Sequence, residues 1–174
     1  NTSLGSQALQ LNTTGDRNTA LGKDALRYFI ASNNTAIGVD ALQGVNGSST
    51  GSNNVAIGYL ALASDTTGQL NIGIGVETLD ANTTGSYNVA VGKGSLGNNT
   101  TADYNTAVGQ EALLGNTTGT QNTGVGAFSL YTSSTGNYNV AVGYRTLYAN
   151  TSASESTAVG HQALFTNVTG ANNV

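Results

Sequence analysis

Asn105-Thr106-Ala107-Val108-Gly109-Gln110-Glu111-Ala112-Leu113-Leu114-Gly115-Asn116-Thr117-Thr118-Gly119-Thr120-Gln121 is seventeen residues long, and at Asn122 its pattern begins again. Self-similarity at a fixed period is the signature of a repeat architecture. Counting from the leading Asn, copies start at Asn1, Asn18, Asn34, Asn54, Asn71, Asn88, Asn105, Asn122, Asn139 and Ser156, with residues 173–174 opening an eleventh. The first spacings are 17, 16 and 20, and every later one is 17. The fifth position is Gly and the ninth is Leu in all ten copies. The fourth is always Leu, Ile or Val, and the third Ala, Ser or Gly.

These choices have physical reasons. A stretch such as Asn88-Val89-Ala90-Val91 is β-branched and too brief for a helix, so it reads as a short strand. Gly92 ends it, where the backbone needs a positive φ or approaches another chain segment closely. A second short strand is expected to carry the invariant Leu. Asn-Thr-Thr-Gly is turn chemistry, with Gly expected to supply the left-handed residue. Two strands and two turns make one coil. The chain is therefore expected to be all-β, a parallel β-solenoid (β-roll) of ten 17-residue coils in one domain spanning residues 1–174. Equivalent residues of successive coils would lie ~4.8 Å apart, and the leading Asn residues would stack as an amide ladder. Positions four and nine are expected to fill the interior, with small residues at three and eight.

Composition narrows the function classes. Only 8% of the residues are charged, against roughly 25% in ordinary soluble proteins. Pro, Cys, Met and Trp are absent. Without the period such a composition would suggest disorder, but a disordered linker has no need of Leu at every seventeenth place. A net charge of −4 argues against nucleic acid, which requires a basic surface. No run reaches the ~20 apolar residues of a membrane span, and no signal peptide is visible. The array opens and closes without an atypical capping coil, so a piece of a longer chain is expected. With no disulfides and a thin, Ala-rich interior, further apolar burial between chains is expected. A homotrimer would use the small residues for close approach.

The first coil is regular, and the second and third are not. Arg27-Tyr28-Phe29-Ile30-Ala31-Ser32-Asn33 replaces the usual turn in the second, and the third carries a three-residue insertion within residues 43–51. Insertions in solenoids map to surface loops, often on the binding face. Tyr28 and Phe29 are therefore candidates for a recognition patch; the plainer account is loop variation with Phe29 tucked against the next coil. Tyr87, Tyr104 and Tyr138 share position seventeen, and Tyr131, Tyr148 and Phe165 share position ten. Aromatics in such rows could stack on sugar rings, and the first three are the candidate surface-recognition residues. The plainer account for both rows is packing between coils or chains, which suits Tyr. Positions six and seven vary most and read as a solvent-facing turn.

Catalytic and metal chemistry finds little support. Asp24 and Asp40 share position seven in adjacent coils, near the ~5–5.5 Å separation of a retaining glycosidase pair. No cleft with a buried acid surrounds them in the sequence, and Lys23 can neutralise one. His161 is the only histidine, whereas metal sites need several converging ligands. Acidic calcium-binding turns are absent. Gly73-Ile74-Gly75 lacks the strand–helix unit of a dinucleotide site. Ser and Thr hydroxyls have no paired base. No catalytic, cofactor or metal residues are assigned. The sequons at Asn82-Thr83-Thr84 and Asn116-Thr117-Thr118 coincide with the turn and are better explained by it. An ice-binding face, which needs flat Thr arrays beside a strand, is a minor alternative: the Thr pairs sit in turns, and position two alternates among Thr, Val and Ile.

The strings Asn34-Thr35-Ala36-Ile37-Gly38, Asn54-Val55-Ala56-Ile57-Gly58-Tyr59-Leu60-Ala61-Leu62 and Asn139-Val140-Ala141-Val142-Gly143 resemble the head repeats of YadA-type trimeric autotransporter adhesins. With the Asn-Thr-Thr-Gly spacer the array also resembles repeats of phage tail-fibre proteins and of chaperone-tipped bacterial surface fibres. This resemblance spans the whole chain and implies a left-handed, homotrimeric β-roll displayed outside a cell or on a virion. The expected function is a non-enzymatic fibre segment that mediates attachment or spaces a binding tip, with cell-surface glycans or extracellular matrix as partners. The alternative is a filament assembling end to end without a specific ligand, and a glycan-degrading solenoid is a minor one.

Overall fold

The computed structural model describes residues 1–45 and 49–174. Ten three-residue strands follow one another: β1 (Thr2–Leu4), β2 (Thr19–Leu21), β3 (Thr35–Ile37), β4 (Val55–Ile57), β5 (Ile72–Ile74), β6 (Val89–Val91), β7 (Thr106–Val108), β8 (Thr123–Val125), β9 (Val140–Val142) and β10 (Thr157–Val159). They form one parallel sheet in sequence order. The register is coil on coil, so Val89 faces Thr106 and Val91 faces Val108. Each turn of chain from one leading Asn to the next is thus one coil of a β-solenoid.

The interior is a file of leucines. Leu26, Leu42, Leu62, Leu79, Leu96, Leu113, Leu130 and Leu147 are fully buried. Strand-centre residues such as Ala36, Ala56 and Ala107, and position-eight residues such as Ala61 and Ala112, complete it. The expectation for position four is corrected. A strand shows alternate residues to opposite faces. With the Ala of position three inside, Ile74, Val108 and Val142 at position four point out and are exposed.

The second segment is not a strand, another departure from expectation. Its amides alternate between bonds within the coil and bonds to neighbouring coils. In coil five Asn82 N–H donates to the Leu79 carbonyl at 3.0 Å, a turn bond. Between these, Leu79 N–H donates to Ser95 O at 3.1 Å and Ala81 N–H to Gly97 O at 3.2 Å, both in the next coil. This zigzag requires left-handed residues. Position seven, position nine and the residue before each leading Asn have φ between 47° and 65° throughout the array. Three such places in ten coils make thirty, and Gly94 alone among them is Gly.

The two recurring glycines do different work. Position five has φ from 122° to 143°, a region closed to residues with a Cβ. A Cβ on Gly109 would also meet the Gly126 carbonyl carbon at 2.6 Å. The Gly of Asn-Thr-Thr-Gly, in contrast, has no positive φ; the left-handed residue lies two places later. Gly119 is small because a Cβ there would lie 2.3 Å from the Gly136 oxygen.

Candidate functional site

Two files of buried polar side chains hold the coils in register. The leading Asn of each coil accepts the backbone N–H of the next leading residue: Asn71 N–H donates to Asn54 Oδ1 at 2.9 Å and Asn88 N–H to Asn71 Oδ1 at 3.0 Å. Its amide nitrogen closes its own coil, as Asn54 Nδ2 donates to the Gly68 carbonyl at 2.9 Å. The expected ladder exists, bonded mainly side chain to backbone. Position twelve forms a second ladder, in which Asn99 Nδ2 donates to Asn82 Oδ1 at 2.9 Å and Asn116 Nδ2 to Asn99 Oδ1 at 3.0 Å. It ends at Ser133, which is too short to continue, leaving Asn116 Oδ1 and Ser133 Oγ buried without partners. Asn82 and Asn116 are the sequon asparagines, and both are fully buried.

Asp65 starts the run of position-twelve amides. Its Oδ1 accepts Asn82 Nδ2 at 3.0 Å, while its Oδ2 is buried without a partner. Burial pushes its carboxyl up to about 8, against the opposing bonds from Asn82 and Gly68. Desolvation also raises the Asp80 carboxyl.

The first Thr of the turn is occupied too. Thr66 Oγ1 donates to the Thr83 carbonyl at 2.8 Å, and Thr83 Oγ1 to the Thr100 carbonyl at 3.0 Å, coil to coil. The residues that face water are mainly those of positions six, fourteen and seventeen, with positions two and four of the sheet's outer face partly so.

Phe29, a candidate for surface recognition, is corrected to a core residue. It is fully buried and takes the position-twelve place in its coil, paired with Ser49. Its carbonyl accepts Asn12 Nδ2 at 3.1 Å. The inserted residues of coil three precede Ser49, and Asn46, Gly47 and Ser48 lie outside the described residues. Tyr28 is half-buried with the Arg27 guanidinium 4.9 Å above its ring. Tyr87 and Tyr104 stack at 4.8 Å and 7°, exposed by 48% and 56%. Tyr138, equally exposed, is separated from Tyr104 by the coil of Gln121 and stands apart.

Asp24 is no free acid. Lys23 Nζ lies 2.6 Å from it and Arg27 Nη1 3.2 Å, and Asp40 accepts Gln43 Nε2 at 3.0 Å. The hydrogen bond to Asp24 raises the Lys23 ammonium above its usual value. Among the described residues no cavity is enclosed, no group of three or more metal-ligating side chains converges, and no helix is long and apolar enough to cross a membrane.

One cluster escapes a reading by rows. Tyr131, Tyr148 and Phe165 stack at 5.0 Å and 5.1 Å. Phe128 meets Tyr131 and Tyr144 edge-on, and Tyr144 stacks on His161 at 5.5 Å. Arg145 lies among them, 5.2 Å from the Tyr144 ring centre, 5.5 Å from Tyr148 and 5.7 Å from Phe128. The signal was the coincidence of aromatics at positions six, seven and ten in three successive coils. No family model, curated protein or solved structure matches the chain.

Proposed function

We propose that the chain is a structural and adhesive segment of an extracellular or virion fibre, non-enzymatic, built as a homotrimer in which three solenoids share their sheet faces. The observation that carries this reading is the outer sheet face. Position four supplies an apolar side chain from every strand, among them Leu21, Ile74, Val108 and Val142, all exposed. Position two adds Val55, Ile72, Val89 and Val140 between threonines. An exposed apolar patch of this continuity marks an interaction surface. The occupant that fits is the same chain, because only another array of the same period matches the file along its whole length. The resemblance of the repeats to trimeric adhesin heads and tail fibres supports the stoichiometry, the left-handed coil and the setting outside a cell. It equally supports attachment to glycans or matrix along the flanks.

Light scattering on the purified chain is expected to give three times the monomer mass of 17.5 kDa. A monomer at micromolar concentration overturns the proposal. Indefinite filaments under the electron microscope would point instead to end-to-end assembly without a specific ligand.

A further inference from the structure

We infer that the flank of the eighth to tenth coils binds an acidic saccharide, with Arg145 taking the carboxylate and the surrounding rings taking the sugar. The inference deepens the attachment reading by naming a site and a ligand class. Arg145 is the only Lys or Arg from Asn122 onward, and Glu155 the only acid. Glu155 stands at position seventeen, in the file of Tyr138 rather than that of Arg145. No carboxylate reaches Arg145 among the described residues, and its Nε is buried without a hydrogen-bond partner. The other clustered cations, Lys23 and Arg27, are both paired with Asp24. The array thus neutralises its cations at one end and leaves one uncompensated at the other, inside its densest group of rings.

The chemistry of that setting selects its ligand. A guanidinium held against aromatic faces is weakly hydrated and presents a planar fork matched to a carboxylate. Such charge-assisted bonds are about twice as strong as neutral ones. The rings spend their faces on one another and on Arg145, so a sugar meets their edges, and the Tyr hydroxyls offer polar tips to its hydroxyls. Tyr144 and His161 are exposed, so the ring surface is open. The carbohydrate would lie across coils, touching Tyr144 and His161 with its body and Arg145 with its acid. A neutral sugar would leave the cation uncompensated. A polyanion such as nucleic acid would meet one cation on a chain of net charge −4.

The test is calorimetric titration of the whole chain with trigalacturonate, sialyllactose, lactose and tetraglutamate. Saturable binding of an acidic saccharide, with none of lactose, is expected. Arg145→Gln and Tyr144→Ala should each weaken it about tenfold or more, and Arg145→Lys less, since Lys keeps the charge but not the fork. Unchanged circular dichroism and melting certify each variant as folded. The inference is overturned by no binding of either acidic sugar at millimolar concentration, by undiminished binding in Arg145→Gln, or by tetraglutamate binding equally well. A trimer that ignores acidic sugars overturns this site and leaves the fibre reading standing; a monomer that binds them does the reverse.

Discussion

Leu113 is invariant for two reasons that coincide at one Cα. Its side chain is fully buried in the interior file, and its backbone has φ +54°. The left-handed region costs an ordinary L-residue about 1–2 kcal/mol, and a β-branched residue there is a steric outlier. Position nine therefore admits Leu but not Ile or Val, whereas position four, in extended backbone, admits all three. Exchanging Leu for Ile in a core usually costs under about 1.5 kcal/mol. Leu113→Ile is expected to cost more, about 2–3 kcal/mol, because the branched Cβ adds to a left-handed strain that Leu already bears. Val108→Ile, in strand β7, should be near neutral. Denaturant melts of the two variants decide it, and an unperturbed Leu113→Ile would refute the conformational account. The invariance of Leu and Gly was legible in the sequence as burial and tight backbone. The conformation left only a faint mark: positions seven, nine and seventeen exclude Val, Ile and Thr in every coil of a chain rich in all three. Assigning the left-handed residue to the turn Gly was the natural error: local propensity favours Gly there, but here close approach of the next coil demands it.

At the scale of the element, the buried ladders explain why coils pair in one register. Each leading Asn spends its oxygen on the next coil, and the position-twelve amides spend both nitrogen and oxygen on neighbouring coils, so a slip by one residue orphans these atoms. Buried polar atoms without partners cost about 1–3 kcal/mol each, which makes the ladders a register device as much as a source of stability. The ladder at position one was legible from the leading Asn. That at position twelve was hidden, because Asn there also suits a turn. Phe29 was only partly legible: the count from Asn18 puts it at position twelve, but an apolar ring where other coils have Asn, in a shortened turn, reads equally as a surface loop. Asp65 gives the ladder a pH dependence. Its carboxyl stands at about 8 in the fold, against about 3.9 in an unfolded chain. The folded state holds the proton more tightly, so stability is greatest below about pH 4 and falls as pH rises toward 8. At about 1.4 kcal/mol per pH unit the loss is on the order of 5 kcal/mol across that window. Asp65→Asn supplies the amide nitrogen that coil five uses at Asn82, which donates to Gly85 O at 3.0 Å. Its melting temperature should decline less than the parent's from pH 4 to 8, with a residual slope from Asp80, and exceed that of the parent at pH 8. A parent with no decline over this range would show that Asp65 ionises freely in the fold.

For the whole molecule the decisive quantity is the balance between interior and outer face. The interior of one coil is a Leu, two small residues and two polar ladders, a thin core for seventeen residues. The outer face carries the larger aliphatic load, an Ile, Val or Leu at every position four. Low charge, Ala-rich composition and the period made a thin roll legible. The direction in which position four points was not, because a three-residue strand is too short to reveal its alternation. That correction strengthens the expectation of a partner, since the side chains assigned to the interior are available to another chain. A charge placed on that face separates assembly from folding. Ile74→Lys and Val91→Lys, at adjacent strands β5 and β6, leave the leucine file and both ladders untouched, so an isolated coil array would accept them with little change. In a shared interface two Lys side chains from each of three copies would be desolvated beside one another, at a cost of several kcal/mol. The double variant is expected to sediment as a monomer and to melt well below the parent, with a transition that no longer rises with protein concentration. Thr84→Lys, on the exposed turn, should retain the parent mass and melting point. If the double variant keeps both, the sheet face is not where the copies meet.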